Sequence, residues 1–330
     1  MHPFKYIRTE DAASAIAKHT EAEKTQFIAG GTNLVDRIRR DVFHPDVLID
    51  INKFPYHKIE EHQGGLRLGA LVSNSDTADH KAVKKNYPIV SEAILLGATD
   101  QLRNKATNGG NLMQRTRCSY YMSPKFPCNK REPGSGCAAI HGHNRILSIL
   151  GTSENCIASF PSDMCASLTA LEAKVNIMDI DGSEIVIPIE EFHALPGDTP
   201  EIDNVLKPGQ LITSIDLPAS TKTFAKRSTY LKVRDRHSYA FALVSVAAAV
   251  TMEAGVITDA RMAFGSIAPK PWRDKEAEKM FIGQAPSKAL FKKIGEKVVE
   301  NAKGYGGNSF KIELVPRVVT RAFSEITGLI

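Results

Sequence analysis

The sequence lacks any hydrophobic run long enough to cross a membrane. Its longest apolar stretch, residues 241–252 (FALVSVAAAVTM), is about half of the roughly 20 residues that a membrane-spanning helix needs. Its first residues contain no long apolar segment and turn acidic by Glu10, so no secretory signal is expected there. We therefore predict no membrane insertion. We expect a cytoplasmic location, or a periplasmic one if the chain is exported together with a partner that carries a signal.

The sequence also has only a small excess of positive over negative charge. The 330 residues carry a net charge of +5, and 42% of them are hydrophobic and 24% charged, which is typical of ordinary globular proteins. The basic residues are scattered and form no Lys/Arg run with interleaved aromatic residues, so nucleic-acid binding is not expected. The length is sufficient for about two domains.

The GxGxxG and Walker A signatures are absent, but two loops contain paired glycines. AGGTN (29–33) follows an apolar strand and precedes a helix, and TNGGN (107–111) follows a helix through a polar connection. Adjacent glycines let the backbone come close to a ligand, and successive N–H groups in such a loop can bind an anion. These loops are therefore either ordinary turns or the binding sites for the two phosphates of a dinucleotide.

Cysteine is rare, yet four of the five cysteines are concentrated at positions 118, 128, 137 and 156. The segment is rich in Pro and Gly, which predicts irregular backbone without a hydrophobic core of its own. In a reducing compartment, clustered cysteines bind metal more often than they form disulfides. Four thiolates suit either zinc or a [4Fe–4S] cluster. Structural zinc sites usually use cysteine pairs two to four residues apart, and no CxxC is present, but spacing alone leaves both metals open.

The order of the elements predicts an α+β fold. Residues 1–55 read as a small lobe of strands and helices in which Thr9 caps the first helix. Hairpins are predicted around residues 63–65 and at Asp181-Gly182, and a core-facing helix that buries the Cys165 thiol lies between them. From about residue 221, long strands are followed by helices.

Three motifs in chain order, FIAGGTNLVD, ATNGGNLMQRT and PSDM, resemble the two FAD-binding loops and the acidic contact of a known flavoprotein family. This family is the flavin-binding medium subunit of the molybdenum hydroxylases, which include xanthine dehydrogenase, carbon monoxide dehydrogenase and aldehyde oxidoreductase. The resemblance extends over essentially the whole chain. It implies a two-lobed FAD-binding fold of the vanillyl-alcohol-oxidase/PCMH type in residues 1–220, with lobes of about 1–55 and 56–220. An α+β C-terminal domain of the CO dehydrogenase flavoprotein type is implied in residues 221–330.

The resemblance also implies a role for each matching residue. The two glycine loops would hold the FAD pyrophosphate, and Thr116 would supply a hydroxyl to the phosphates or the ribityl chain. Asp163 would accept hydrogen bonds from ribityl or ribose hydroxyls, and Lys232 would stabilise the reduced flavin. The alternative for Lys232 is a solvated lysine at a strand edge. The implied cofactor-binding residues are Phe27, Ile28, Ala29, Gly30, Gly31, Thr32, Asn33, Leu34, Thr107, Asn108, Gly109, Gly110, Asn111, Thr116, Asp163 and Lys232.

About forty residues (117–157) intervene where most family members run from the second glycine loop almost directly into the helix that contains the aspartate. Insertions of this kind carry a [4Fe–4S] cluster in the flavin subunits of bacterial aldehyde oxidoreductase and of 4-hydroxybenzoyl-CoA reductase. PCNKREPGSGCAA is more similar to the former. The resemblance thus implies that Cys118, Cys128, Cys137 and Cys156 bind a [4Fe–4S] cluster, and it leaves His141 and His143 as solvated loop residues.

The function implied by the resemblance is that of an FAD- and [4Fe–4S]-binding electron-transfer subunit of a heterotrimeric molybdenum-containing aldehyde oxidoreductase. A large partner would carry the molybdenum cofactor, and a small partner would carry two [2Fe–2S] clusters. FAD would pass electrons to an external acceptor, and no catalytic residue is expected on this chain. The alternatives are the flavin subunit of a 4-hydroxybenzoyl-CoA reductase and a non-catalytic, zinc-stabilised scaffold.

Overall fold

Residues 2–21 and 23–330 are described by a computed structural model, in which they form three β-sheets with flanking helices. One sheet is parallel and the other two are antiparallel, so the predicted α+β class is confirmed. In these residue ranges, no helix combines the length and the apolar character needed to span a bilayer.

The N-terminal sheet is parallel and has the strand order β1-β3-β2. Its elements are β1 (Lys5–Arg8), α1 (Ala12–Thr20), β2 (Thr25–Ile28), α2 (Leu34–Arg39) and β3 (Val47–Asp50). Because the strands are parallel, their carboxyl ends meet at one edge, and the first glycine loop follows β2 at that edge. The prediction that Thr9 caps α1 is wrong. Asp11 is the cap, since its carboxylate accepts a hydrogen bond of 2.7 Å from the Ser14 backbone N–H.

The second sheet is antiparallel, with the strand order β4-β5-β8-β6-β7. Its strands are β4 (Ile59–His62), β5 (Gly65–Gly69), β6 (Lys174–Met178), β7 (Glu184–Pro188) and β8 (Leu211–Leu217). The helices are α3 (Asn74–Asp79), α4 (Lys81–Asn86), α5 (Pro88–Leu95), α6 (Asp100–Arg103), α7 (Asn108–Leu112), α8 (Asp163–Ala170) and α9 (Ile189–Phe192). Both predicted hairpins are confirmed. Cys165 is fully buried in α8, as predicted.

The C-terminal part consists of an antiparallel sheet of order β12-β11-β10-β9 covered by helices. A 3₁₀ helix (Ala219–Lys226) leads into it, followed by β9 (Ser228–Val233), β10 (Val244–Glu253), β11 (Val256–Gly265), β12 (Trp272–Arg273), α10 (Lys275–Lys279), α11 (Lys288–Val298) and α12 (Phe310–Thr327). Three phenylalanine rings, Phe281, Phe291 and Phe323, pack together under the helices with centroids 4.3 to 5.9 Å apart. The predicted order, strands and then helices, is confirmed.

The cysteine-containing segment between α7 and α8 has no helix or strand, although the structure describes all of its residues. Isolated bridges pair Cys128 with Cys137 and Ser153 with Cys156. The prediction of irregular backbone is confirmed, but the prediction that the segment has no core of its own is wrong. A small apolar cluster forms around the cysteines themselves and includes Tyr121.

Candidate functional site

A large cavity of about 890 Å³ lies where the parallel sheet meets the five-stranded sheet. This volume is within the usual range for cofactor pockets, about 300 to 1,000 Å³. Both predicted glycine loops border it, together with the irregular segment 201–210 and the first two residues of β8. The predicted cofactor residues on its wall are Phe27, Ile28, Ala29, Gly30, Gly31, Thr32, Asn33, Leu34, Thr107, Gly109 and Gly110.

The first glycine loop requires both of its glycines. A Cβ on Gly30 would lie 1.9 Å from the Lys105 carbonyl oxygen, so a side chain there would displace the backbone just before the second loop. Gly31 has φ of +72°, a conformation that favours glycine. In the described part of the chain, the backbone N–H groups of residues 30–33 donate to no protein acceptor. The loop therefore presents unsatisfied donors beside the cavity, as an anion-binding loop must.

The second glycine loop is the first turn of a helix rather than an extended connection. Thr107 caps α7, and its hydroxyl accepts a hydrogen bond of 3.2 Å from the Gly110 N–H. Gly109 packs against Ala70, whose Cβ would be 3.1 Å from any Cβ placed on the glycine. The absence of side chains at 109 and 110 lets the turn lie directly on the cavity wall. The sequence signal for this turn was the cap itself, a threonine three residues before Gly110.

Three predicted residues lie outside the cavity wall and bond to neighbouring segments. Asn108 is fully buried and donates to the Gly69 carbonyl at 3.2 Å. Asn111 accepts a hydrogen bond of 2.6 Å from the Ser162 hydroxyl. The Thr116 hydroxyl is buried and donates to the Ser159 carbonyl at 2.8 Å. Direct contact of these three residues with the cofactor stays a prediction.

Asp163 and Lys232 also lie off the cavity wall, but the structure brings them together. The Lys232 Nζ is 2.7 Å from one Asp163 oxygen and 3.0 Å from the Leu96 carbonyl, and the lysine side chain is 1% exposed. The other Asp163 oxygen accepts from the Tyr230 hydroxyl at 2.7 Å. Burial and the nearby Asp163 carboxylate raise the pKa of Tyr230 well above its ordinary value, so it remains a donor. The alternative of a solvated Lys232 is wrong, and its effect on the flavin stays a prediction.

Several charged residues on the cavity wall were not predicted from the sequence, and Arg37, Arg115 and Asp203 are the ones that lie toward the cysteine segment. Arg115 forms an ion pair with Asp203, and its backbone N–H donates to the side chain of Asn33 in the first loop at 3.2 Å. Burial alone would raise the pKa of Asp203, but Arg115 and Lys130 hold it below its ordinary value. Asp203 is therefore ionised and shared by two cations.

Arg37 is the second cation at this wall. It is 8% exposed, and its guanidinium lies 4.7 Å from the centre of the Phe43 ring. Among the described residues, its buried Nε has no hydrogen-bond partner. A buried guanidinium with an unused donor can accommodate an anionic ligand. The glycine loops, the unsatisfied N–H groups and the two arginines together fit a dinucleotide with its two phosphates.

A second, smaller cavity is lined by all four predicted metal ligands, Cys118, Cys128, Cys137 and Cys156. All four are free thiols, and three of them are buried. Burial raises the pKa of Cys118 to about 12 and that of Cys156 to about 11. Buried thiols in this state require a cationic centre to become thiolates, which is what a bound metal supplies.

The spacing of these sulfurs can be compared with that of a zinc site. A single tetrahedral zinc ion with Zn–S bonds of about 2.3 Å requires sulfurs about 3.8 Å apart. Among residues 2–21 and 23–330, no three of the cysteine sulfurs lie within 4.8 Å of one another. The four sulfurs are thus spread more widely than those of a tetrahedral zinc site. His141 and His143 are exposed and lie outside this cavity, as expected.

Two family descriptions match the chain and together cover most of it. Residues 2–220 match the FAD binding domain in molybdopterin dehydrogenase, and residues 229–326 match the CO dehydrogenase flavoprotein C-terminal domain. Both matches agree with the arrangement of sheets described above. The confirmed fold is thus the predicted combination of an FAD-binding part and a flavoprotein C-terminal part.

Curated relatives and solved structures agree with the family matches. The chain is 41% identical to the aldehyde oxidoreductase FAD-binding subunit PaoB of Escherichia coli over 98% of both chains. It is 26% identical to the glyceraldehyde dehydrogenase medium chain of Sulfolobus acidocaldarius over 99% of this chain and 100% of the other. Among solved structures, a carbon monoxide dehydrogenase chain from Hydrogenophaga pseudoflava superposes with a TM-score of 0.75 at 22% identity, covering 98% of each chain. With the paired-glycine loops on the wall of a cavity of dinucleotide size, these matches establish that the chain belongs to the FAD-binding medium subunits of the molybdenum hydroxylases.

Proposed function

We propose that this chain is the FAD- and [4Fe–4S]-binding electron-transfer subunit of a heterotrimeric, molybdenum-containing aldehyde oxidoreductase. The observation that carries the proposal is the presence of two adjacent cavities, one bordered by the paired-glycine loops and the other by four free cysteines. The relative with 41% identity over nearly the full length is named as an aldehyde oxidoreductase subunit. The non-catalytic scaffold is wrong, because the family consists of oxidoreductase subunits.

The chain's own residues hold and orient the dinucleotide. The donors of residues 30–33 and the turn at Thr107–Gly110 would bind the phosphates, while Arg37 and Arg115 add positive charge. FAD, when bound, supplies the ability to accept electrons and to pass them to an external acceptor. Electrons would reach this chain from the molybdenum cofactor of a large partner through the [2Fe–2S] clusters of a small partner. The aldehyde would bind to the large partner.

The cysteine cavity supports the iron–sulfur part of the proposal. Four thiols from one irregular segment converge, and their sulfurs are spread more widely than those of a tetrahedral zinc site. Free cysteines of this kind persist in a reducing compartment. We therefore propose that the chain folds in the cytoplasm and reaches the periplasm only if a partner with an export signal carries it there.

The test is purification of the complex with its partner chains, followed by iron and FAD analysis and visible spectroscopy. We expect one FAD per complex and about four iron atoms beyond those of the partner clusters. Anaerobic addition of an aldehyde should bleach the flavin absorbance. Cys128→Ser should remove the extra iron, whereas Cys165→Ser, the matched control in α8, should not. Stoichiometric zinc in place of this iron, or a complex without flavin, would refute the proposal.

A further inference from the structure

The two cavities share a wall, which we define as Arg37, Arg115, Tyr121, Lys130 and Asp203. Tyr121 and Lys130 line the cysteine cavity. Arg37, Arg115 and Asp203 line the large cavity. No residue of this wall belongs to the glycine loops, and none is a cysteine, so the wall is a separate feature that both sites contact.

An ion network runs through the shared wall. The Lys130 Nζ is 2.5 Å from one Asp203 oxygen and also donates to the Pro200 carbonyl at 2.5 Å. The other Asp203 oxygen pairs with the Arg115 guanidinium, which also donates to the Glu201 carbonyl at 2.8 Å. Lys130 is 6% exposed. One carboxylate thus holds two cations, one facing each cavity, and breaking such a buried network at one member is costly.

An aromatic ring provides a second connection through the same wall. Tyr121 is 1% exposed, and its ring centre lies 5.3 Å from the Arg115 guanidinium. Its hydroxyl lies beside the Arg37 guanidinium. Burial lowers the pKa of Arg37, and the interaction with Tyr121 opposes that lowering. Both arginines of the large cavity are therefore in contact with a residue that also borders the cysteine cavity.

The segment that carries these groups is held by loop hydrogen bonds, such as those from Arg131 to the Tyr120 and Tyr121 carbonyls, rather than by regular secondary structure. Arg115, Tyr121 and Lys130 lie in the stretch between α7 and α8 that contains no helix or strand. Its apolar cluster is small and is formed largely around the cysteines. A metal group bound by four cysteines would cross-link this segment and restrict its motion, as structural metal sites do. Loss of the group would release the residues that position Arg115.

We propose that the Lys130–Asp203–Arg115 network couples the two cavities, so that a metal cluster in the cysteine cavity positions Arg115 against the phosphates of the dinucleotide. This inference rests on the proposed function. Its consequence is reciprocal: the cluster strengthens FAD binding, and FAD stabilises the bound cluster by the same free energy. Lys130 and Asp203 are positioning residues that act through Arg115 and do not contact the reacting atoms.

The first test measures FAD affinity in the assembled complex. Flavin is removed, and the Kd for FAD is determined by flavin fluorescence quenching. Asp203→Asn keeps the shape of the side chain but removes its charge, and we expect it to raise the Kd about tenfold or more. Asp216→Asn is the matched control, because Asp216 also pairs with an arginine, Arg67 at 2.7 Å, but lies away from both cavities. Equal Kd values for the two variants would overturn the proposal.

The main comparison of the second test uses the unmodified complex, so it does not depend on whether a variant folds. Release of iron from the unmodified complex to a chelator is followed with and without saturating FAD. Because the bound FAD must be disturbed before the cluster can leave, we expect the stabilisation to appear in the release step. FAD should then slow the release of this chain's iron about tenfold, and Asp203→Asn should abolish the difference. Identical release rates with and without FAD would overturn the coupling while leaving the proposed function intact. A complex that binds neither iron at the cysteines nor FAD would refute the proposed function itself.

Discussion

Replacing Lys232 with methionine tests the buried ion pair beneath the flavin-binding part of the molecule. The lysine side chain is 1% exposed and the Asp163 side chain 10% exposed, with 2.7 Å between their charged atoms. Removing the lysine leaves a buried carboxylate whose charge is no longer balanced. Such losses typically cost 3 to 5 kcal/mol of folding free energy.

The structure places the expected cost near the lower end of that range. Asp163 keeps the hydrogen bond from the Tyr230 hydroxyl and lies in the first turn of α8, where a negative charge is favourable. We therefore expect Lys232→Met to lower the free energy of unfolding by about 3 kcal/mol. The double variant with Asp163→Asn should lose at least about 1 kcal/mol less than the sum of the single variants, because the unpaired charge is gone.

Urea-induced unfolding of the full chain, followed by tryptophan fluorescence, measures this cost. The single tryptophan, Trp272, lies in β12 of the sheet that contains Lys232 in β9. Lys84→Met is the matched control, since Lys84 is also 2.7 Å from its partner, Asp79, but both side chains are at least half exposed. We expect the control to change stability by less than about 1 kcal/mol. A Lys232→Met cost equal to the control's, or additive costs in the cycle, would refute the reasoning.

Three further predictions concern glycine geometry and buried titratable groups. Gly30→Ala places a Cβ 1.9 Å from a backbone carbonyl oxygen, so we expect at least a tenfold weaker FAD affinity, measured by flavin fluorescence, from the displaced loop. Burial lowers the pKa of His193 to about 4, while its Nε2–H donates to the Leu112 carbonyl. The contribution of the neutral ring to stability is therefore fully present above the unfolded pKa of about 6.5. Lowering the pH from 7.5 to 5 should reduce the free energy of unfolding, measured with urea, by about 2 kcal/mol. His193→Gln should abolish this loss. Burial lowers the pKa of Lys311 to about 7, and its Nζ donates to the Ser266 carbonyl. Between pH 7 and 10 the folded chain therefore binds fewer protons than the unfolded chain, so the wild type loses stability as the pH falls. We expect Lys311→Met to be about 2 kcal/mol more stable than the wild type at pH 6.5 and to lose that advantage by pH 10.

Each of these three predictions has its own contradicting result. Gly182→Ala, in the hairpin turn away from the cavity, is the control for the backbone strain of an added Cβ. If Gly182→Ala and Gly30→Ala bind FAD with equal affinity, the close contact at Gly30 does not explain the weaker binding. For His193, an unchanged pH dependence in the glutamine variant would show that other groups cause it. For Lys311, a methionine variant that is less stable than the wild type at pH 6.5 would mean that burial of the charged ammonium does not destabilise the fold.

The local patterns of the chain predicted its elements well. The strand, the AGGTN loop and the helix behind it are all present, as are both hairpins and the convergence of the four cysteines. These features depend on turn residues and on short-range spacing, which are visible in the sequence. The first helix cap was misplaced from Asp11 to Thr9, because both residue types favour that position and only the backbone conformation selects between them.

The residues missed in the sequence are those whose roles depend on distant partners. Arg37 lies in LVDRIRRD, where a basic residue looks solvated, yet the fold buries it against Phe43. Asp203 lies 88 positions beyond Arg115, in a loop that looked like a simple connection. Lys130 lies two residues after Cys128, in a stretch whose sequence pattern points only to its cysteines. Contacts made across such separations follow from the packing of whole sheets, which no local pattern encodes.

The position of the FAD diphosphate in the loaded complex tests the central claim most directly. An experimental structure of the complex gives the distances from its oxygens to the backbone nitrogens of residues 30–33 and of the turn at Thr107–Gly110. We predict hydrogen-bonding distances of about 2.7 to 3.2 Å to both loops. A diphosphate bound elsewhere on the chain, with neither loop within that distance, would contradict the account.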